Sequence, residues 1–62
     1  MKETLVLFYI KDEMFSSAEL LGTPEELKEK ALCVLREEYE YNSPEGLRAE
    51  FEYEDKKYKV EL

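Results

Sequence analysis

The stretch that decides the fold of this chain is TLVLFYI, Thr4 to Ile10, in which six apolar or aromatic residues follow one another. A strand with one face in a core and the other in water alternates apolar and polar residues. This stretch does not alternate, so it predicts a strand that is apolar on both faces. One face belongs to a core, and the function of the chain depends on what covers the other.

Composition limits the chain to one small domain, residues 1–62. A domain of this size buries only about 60% of the surface of its unfolded chain, so its stability depends on a single consistent core. The one cysteine excludes an intrachain disulfide, and the lack of histidine argues against a zinc site.

The charge balance bears on the choice of partner. Sixteen acidic and nine basic residues give a net charge of -7. Nucleic acids and anionic membranes both attract basic segments, so we expect neither as a partner. We see no secretory leader, and the apolar run is too short to span a bilayer. We therefore expect a soluble protein of cytoplasmic or recombinant origin.

The clearest element is a helix in GTPEELKEKALCVLREEYEYN. Thr23 is a good N-cap, Pro24 suits the first helical position, and Glu26 completes a capping box. Asn42 favours a left-handed helix end, so we place the helix at 24–41. Helical spacing predicts one apolar face, formed by Leu27, Ala31, Val34, Leu35 and Tyr39 with Leu32 at its edge.

The C-terminal stretch LRAEFEYEDKKYKVEL alternates and predicts a hairpin. A two-residue turn at Asp55 and Lys56 gives matching pairs on both faces. The apolar pairs are Tyr53 with Tyr58, Phe51 with Val60 and Ala49 with Leu62, and the charged pairs are Glu54 with Lys57 and Glu52 with Lys59.

A second hairpin is predicted at the N-terminus, with a turn at Asp12 and Glu13. In this register the inner face carries the pairs Leu5 with Leu20, Leu7 with Ala18 and Tyr9 with Ser16. The outer face then carries Val6, Phe8, Ile10 and Phe15, with Ser17 and Glu19. A competing interpretation makes residues 14–21 a short helix, but Gly22 directly before the cap favours the strand.

The elements give an α+β fold in the order ββαββ, with one helix packed on one face of a four-stranded sheet. Crossover rules favour a mixed sheet with the first and last strands parallel at its centre. With the closing hairpin AEFEYEDKKYKVEL, this order resembles the β-grasp of the immunoglobulin-binding domains of protein G. Those domains bind antibody through their helix and a neighbouring strand. No contact motif matches here, so the resemblance implies the fold alone.

The segments TPEELKEKAL and EYEDKKYKVEL also resemble computationally designed miniproteins, with ideal caps and surfaces rich in Glu and Lys. In such chains the positions that break the ideal pattern are the ones expected to carry function. Here they are the two-sided apolar strand, the segment MFSS and Cys33.

The residues give little support for catalysis. Glu37 and Glu40 share a helix face that points to water, and Glu38 is expected where the helix overshoots the sheet. Cys33 lies on the polar side of the helix and has no histidine to activate it. There is no calcium-type acidic loop and no glycine-rich phosphate loop. We therefore predict no catalytic residue, metal or cofactor.

One helix covers one face of a sheet, so the other face meets water or a partner. On the closing hairpin this face is charged, and on the opening hairpin it is predicted to be apolar. The predicted partner-binding residues are Val6, Phe8, Ile10, Phe15 and Ser17, with the two phenylalanines as anchors. The competing interpretation is that the strand has the opposite phase, or that a loop folds over it.

These features predict a non-enzymatic protein-binding module of engineered origin that binds another protein through the apolar sheet face. One alternative is a small acidic inhibitor of viral type that acts by charge mimicry. Another is an idealised scaffold, or a homodimer formed through the same face, with no external ligand.

Overall fold

A computed structural model describes residues 3–62 of the chain as four antiparallel strands and one helix. The elements are β1 (Glu3–Ile10), β2 (Glu13–Leu21), α1 (Pro24–Asn42), β3 (Leu47–Tyr53) and β4 (Lys56–Glu61). The predicted α+β class and ββαββ order are confirmed, as is the single helix on one face of the sheet. Residues 14–21 lie in a strand and do not form the short helix of the competing interpretation.

The helix begins where the capping pattern predicts. The Thr23 hydroxyl accepts a hydrogen bond from the Glu26 backbone N–H at 3.2 Å, and the Glu26 carboxylate accepts one from the Thr23 N–H at 2.8 Å. At the other end Ser43, and not Asn42, takes the left-handed conformation, with φ 47°. Asn42 remains helical, and its side-chain amide donates to Glu38 at 2.6 Å. The helix therefore ends one residue later than predicted.

The sheet has the strand order β2-β1-β3-β4, and all its pairings are antiparallel. The predicted parallel pairing of the first and last strands is therefore wrong, the sheet is not mixed, and its strand order is not the β-grasp order implied by the resemblance to the protein G domains. The helix of about 28 Å returns the chain to the end of the sheet at which β1 finishes, and Ile10 then pairs with Leu47. The lysine-rich β4 takes the edge, where lysines discourage pairing with other chains. In the part of the chain that the structure describes, no helix has the length and apolar character needed to cross a bilayer.

The opening hairpin differs from its predicted register by one residue. Its turn is Lys11–Asp12, with Lys11 at φ 56°, and Leu5 pairs with Glu19 in place of Leu20. An extra residue, Phe15, forms a bulge in β2 beside the β1 residues Phe8 and Tyr9. A slip of one residue moves every side chain to the other face of a strand.

The strand register of the closing hairpin differs from the predicted one by two residues, so each side chain stays on its predicted face of the sheet. Its turn is Glu54–Asp55, and both residues have positive φ, at 49° and 66°. Phe51 therefore pairs with Tyr58, and Glu52 with Lys57. Because side chains alternate with a period of two, a shift of two leaves the apolar side chains under the helix and the charged ones on the far side.

The core lies between α1 and the sheet. Its fully buried members are Val6 and Phe8 of β1, Leu27, Ala31 and Leu35 of α1, and Ala49 of β3. The rings of Phe51 and Tyr58 stack at a centroid distance of 5.0 Å, and the Lys28 ammonium lies 5.3 Å from the Tyr58 centroid. The predicted helix face is thus confirmed at its centre, whereas Tyr39 at its end is half exposed.

Candidate protein-binding surface

The predicted partner-binding residues do not form one exposed surface. Val6 and Phe8 are buried beneath the helix, with exposed fractions of 0% and 1%. Ile10 and Phe15 are half-buried and pack against the same core. Only Ser17 lies exposed on the face of the sheet that α1 does not cover, opposite Leu7. The predicted placement of the other four is therefore wrong, because β1 presents its other apolar face to the solvent and the bulge in β2 turns Phe15 towards the core.

We call the sheet face away from α1 the open face. On its β1 and β2 half it carries five apolar or aromatic side chains, which we call the open-face patch: Leu5, Leu7, Tyr9, Met14 and Leu21. Tyr9 lies directly opposite Met14, and Leu7 lies between Leu5 and Tyr9 on the same strand face. Leu5 and Met14 are more than half exposed, at 53% and 56%, and Leu21 is 44% exposed. The patch is thus contiguous and accessible.

The β3 and β4 half of the open face is charged. Glu50 pairs with Lys59, and Glu52 with Lys57, so opposite charges face one another across the two strands. Lys59 also lies 3.4 Å from Glu61 along its own strand. The apolar half therefore ends against a row of paired charges.

Tyr9 and Arg48 form the boundary between the two halves. Arg48 lies opposite Tyr9 on the neighbouring strand β3. Its guanidinium carbon is 4.5 Å from the centroid of the Tyr9 ring. Arg48 Nε donates to Glu50 at 2.7 Å, and another guanidinium nitrogen donates to the backbone carbonyl of Lys11. The hydrogen bond to Glu50 raises the pKa of Arg48 above its ordinary value. These contacts fix the orientation of the Tyr9 ring at the edge of the patch.

The outer rim of the patch is acidic. Glu3 pairs with Leu21, and Glu19 pairs with Leu5, so the two carboxylates are diagonal neighbours on the open face. Glu19 raises the pKa of Glu3, chiefly through a side-chain hydrogen bond and to a smaller extent through repulsion between the two carboxylates. This corner of the patch concentrates negative charge.

A broad depression crosses the middle of the open face. Its volume is about 550 Å3, and the patch residues Leu5 and Leu7 form one wall. Glu50, Glu52, Lys57 and Lys59 are among the residues of the opposite wall. A smaller depression lies beside Tyr39 and Leu62 at the end of the helix. The larger depression joins apolar and charged groups in one surface and is the better candidate for binding a protein.

The other groups considered for catalysis or metal binding lie outside the open-face patch. Within residues 3–62 there is no cluster of three or more His, Cys, Asp or Glu side chains arranged to hold a metal ion. Cys33 is a free thiol on the exposed side of the helix, as predicted. Glu38 is partly buried and bonded to Asn42, so it acts as a helix-end contact.

None of the five patch residues was predicted to contact a partner: Leu5, Leu7 and Tyr9 were assigned to the core, and Met14 and Leu21 were given no role on the open face. One signal does distinguish the two faces of β1. Tyr9 carries a hydroxyl that favours water, whereas Val6, Phe8 and Ile10 carry no polar atom. The face with the tyrosine is therefore the better candidate for solvent.

Comparison with known proteins finds no family model, no curated protein and no solved structure that matches this chain.

Proposed function

We propose that this chain is a non-enzymatic protein-binding module whose contact surface is the open-face patch. The observation that carries the proposal is the exposure of Leu5, Met14 and Leu21, each between 44% and 56%, beside Leu7 and Tyr9. Contiguous apolar groups with a polar rim are typical of protein interaction sites.

The energy available from this patch is modest. Fully burying a large apolar side chain contributes about 1.5–3 kcal/mol, so covering the exposed halves of Leu5, Met14 and Leu21 contributes roughly 2–4 kcal/mol. Association costs at least about 4 kcal/mol in lost freedom of movement. A stable complex therefore needs further contacts, which the charged half of the face or the backbone of the sheet supplies.

The charged half of the open face is proposed to fix the orientation of the bound partner. Glu50 and Glu52 of β3 form an acidic row beside the apolar residues, and Lys59 and Lys57, their partners on β4, form a basic row outside it. A partner that meets this pattern is held in one orientation, because a rotated partner places like charges together.

An engineered origin accords with several local features. The capping box at Thr23 and Glu26 is complete, the helix begins with Pro24, and lysines occupy the edge strand β4. Idealised designs are typically hyperstable, so this origin predicts a thermal midpoint above about 90 °C. A midpoint in the range of about 45–65 °C, measured by circular dichroism, is the behaviour of an ordinary natural domain and contradicts the engineered origin.

The binding proposal is tested by selecting phage-displayed small domains on the wild-type protein and measuring each clone on variants. Leu5→Lys replaces a patch residue, and Tyr41→Lys replaces a residue that is 88% exposed at the end of the helix. Both changes remove an exposed apolar side chain and add one positive charge. We expect the selected clones to lose binding to Leu5→Lys and to keep binding to Tyr41→Lys. Clones that bind Leu5→Lys as tightly as the wild type overturn the proposal.

Salt separates this proposal from inhibition by charge mimicry. Apolar contacts respond weakly to ionic strength, whereas contacts between exposed charges are largely screened when salt rises from about 0.01 M to about 1 M. Binding of the selected clones that survives high salt supports the apolar patch. Binding that disappears supports the acidic mode.

A further inference from the structure

The outer edge of β2 is free for pairing with another strand. β2 is the outermost strand on its side of the sheet, and along residues 3–62 no strand pairs with its outer edge. Beyond the bulge at Phe15 its pairing with β1 runs without interruption from Ser16 to Leu21. A straight edge of this kind presents backbone N–H and C=O groups at the spacing that an added strand requires.

The two edges of the sheet differ in their protection. The other edge strand, β4, carries Lys56, Lys57 and Lys59, which is a common device against edge pairing. β2 contains no lysine, arginine or proline. Its central residues are small, Ser16, Ser17 and Ala18, so they leave room for a neighbouring backbone. The β2 edge beyond the bulge is therefore the less protected of the two, and it lies beside the open-face patch.

The side chains along the β2 edge indicate what an added strand meets. On the helix side Ala18 and Leu20 are only half-buried, because α1 lies closest to β3 and β4. On the open face Ser17 and Glu19 are exposed, with Glu3 diagonal to Glu19. An added strand thus meets apolar groups on one side and carboxylates on the other.

Charge decides between a second copy and a different partner. Two copies joined through β2 place the exposed Glu19 of each copy along the shared edge, and each copy has a net charge of -7. Like charges across an interface disfavour association. A segment with Lys or Arg on one face meets these carboxylates with complementary charge.

We propose that the β2 edge from Ser16 to Leu21 accepts an extended segment of a basic partner as a fifth strand of the sheet. Lysine or arginine side chains of the segment face Glu19 on the open face, with Glu3 one strand further in, and apolar side chains face Ala18 and Leu20 on the helix side. The segment ends near Leu21, whose carbonyl already accepts a hydrogen bond from the Lys30 ammonium at 2.6 Å. The inference rests on the proposed binding function and assigns the chemistry of its partner.

The test titrates the isotope-labelled protein with an eight-residue peptide that alternates lysine and valine, observed by amide chemical shifts and hydrogen exchange. We expect shifts and slower exchange confined to β2, chiefly between Ser16 and Leu21. The same peptide with every backbone nitrogen methylated cannot donate from either edge and is expected not to bind. No change in β2, or equal binding of the N-methylated peptide, overturns the inference. Concentration-dependent dimers whose β2 amides are protected without peptide also overturn it, in favour of a second copy.

A charge reversal with a matched control tests the role of Glu19. Glu19→Lys lies on the β2 edge, and Glu52→Lys makes the same charge change on the open face of β3. We expect Glu19→Lys to weaken binding of the lysine–valine peptide by at least about tenfold and to allow binding of a glutamate–valine peptide. Glu52→Lys is expected to have a smaller effect. Equal effects of the two variants mean that only net charge attracts the peptide, which overturns the assigned site.

The two proposals fail separately. If the peptide does not bind while displayed clones still depend on Leu5, the edge inference falls and the open-face patch stands. If peptide binding at β2 is unaffected by Leu5→Lys and no clone depends on Leu5, the patch proposal falls and the β2 edge alone binds the partner.

Discussion

The rings of Phe8 and Phe15 lie 6.3 Å apart, centroid to centroid, at an interplanar angle of 46°. Phe8 belongs to the regular part of β1, whereas Phe15 is the extra residue of the bulge in β2. The bulge turns Phe15 towards the helix side, where it packs against the core. This contact ties the opening hairpin to the core and leaves the other face of β1 to the solvent.

Phe8→Lys is expected to unfold the domain. A chain of 62 residues has a stability of about 3–9 kcal/mol at the usual value per residue. Loss of a buried phenylalanine costs about 3–5 kcal/mol, and an unpaired buried ammonium adds to that. Far-ultraviolet circular dichroism of the purified variant measures the outcome.

Leu5→Lys is the matched control, since it introduces the same side chain on the same strand. Leu5 is 53% exposed, so the variant is expected to stay folded and to change the free energy of unfolding by no more than about 0.5 kcal/mol. A folded Phe8→Lys variant together with an unfolded Leu5→Lys variant contradicts the orientation of β1.

The pH dependence of stability is expected to contain a contribution from Glu26. The hydrogen bond from the Thr23 backbone N–H lowers the pKa of Glu26 below its ordinary value of 4.5. This stabilisation is present above 4.5 and is lost as the pH falls through the folded-state pKa. Glu26→Gln keeps the capping geometry but cannot titrate, so its stability is expected to decline less steeply below pH 4.5 than that of the wild type.

Glu3→Gln provides a control of opposite sign. Because Glu19 raises the pKa of Glu3, protonation of Glu3 stabilises the folded state as the pH falls from neutrality. Removing this group is expected to steepen the loss of stability on acidification. Urea unfolding of the wild type, Glu26→Gln and Glu3→Gln, from neutral pH to below pH 4, gives the slope of the free energy of unfolding against pH for each protein. Equal slopes in all three contradict the pKa shifts of Glu26 and Glu3.

The turn at Glu54–Asp55 is a site at which the domain is expected to gain stability. Both residues have positive φ, the geometry of a type I′ turn, which Asn-Gly adopts most readily. The double change Glu54→Asn and Asp55→Gly is expected to raise the free energy of unfolding by about 0.5–2 kcal/mol. Chemical denaturation measures the gain. The same pair of changes at the exposed helix positions Glu37 and Glu40 is expected to destabilise, and a loss at the turn contradicts the observed register.

Much of the fold follows from local sequence signals. The helix was predictable because Thr23, Pro24 and Glu26 fix its start, and the faces of the closing hairpin were predictable because apolar and charged residues alternate strictly. The antiparallel pairing of β1 with β3 depends on which of the last two strands occupies the centre of the sheet. The lysines of β4 are the signal for that choice.

The candidate surface was harder to predict because β1 is apolar on both faces. With Leu5 and Leu7 on one face and Val6 and Phe8 on the other, hydrophobicity alone does not choose between them. The choice depends on a turn one residue earlier than predicted and on the bulge at Phe15, neither of which carries a glycine signal. The open-face patch could therefore be identified only once the pairing register of β1 and β2 was known.

The orientation of β1 is the claim on which the open-face patch depends, and thiol labelling tests it most directly. Cys33→Ser removes the native thiol, and Leu5→Cys and Val6→Cys then place single thiols on opposite faces of the same strand. The native-state labelling rate at each position measures its accessibility. We predict that Leu5→Cys reacts nearly as fast as an unfolded peptide, and that Val6→Cys reacts at least about a hundredfold more slowly because it requires the domain to open. Fast labelling at position 6 with protection at position 5 would contradict the account.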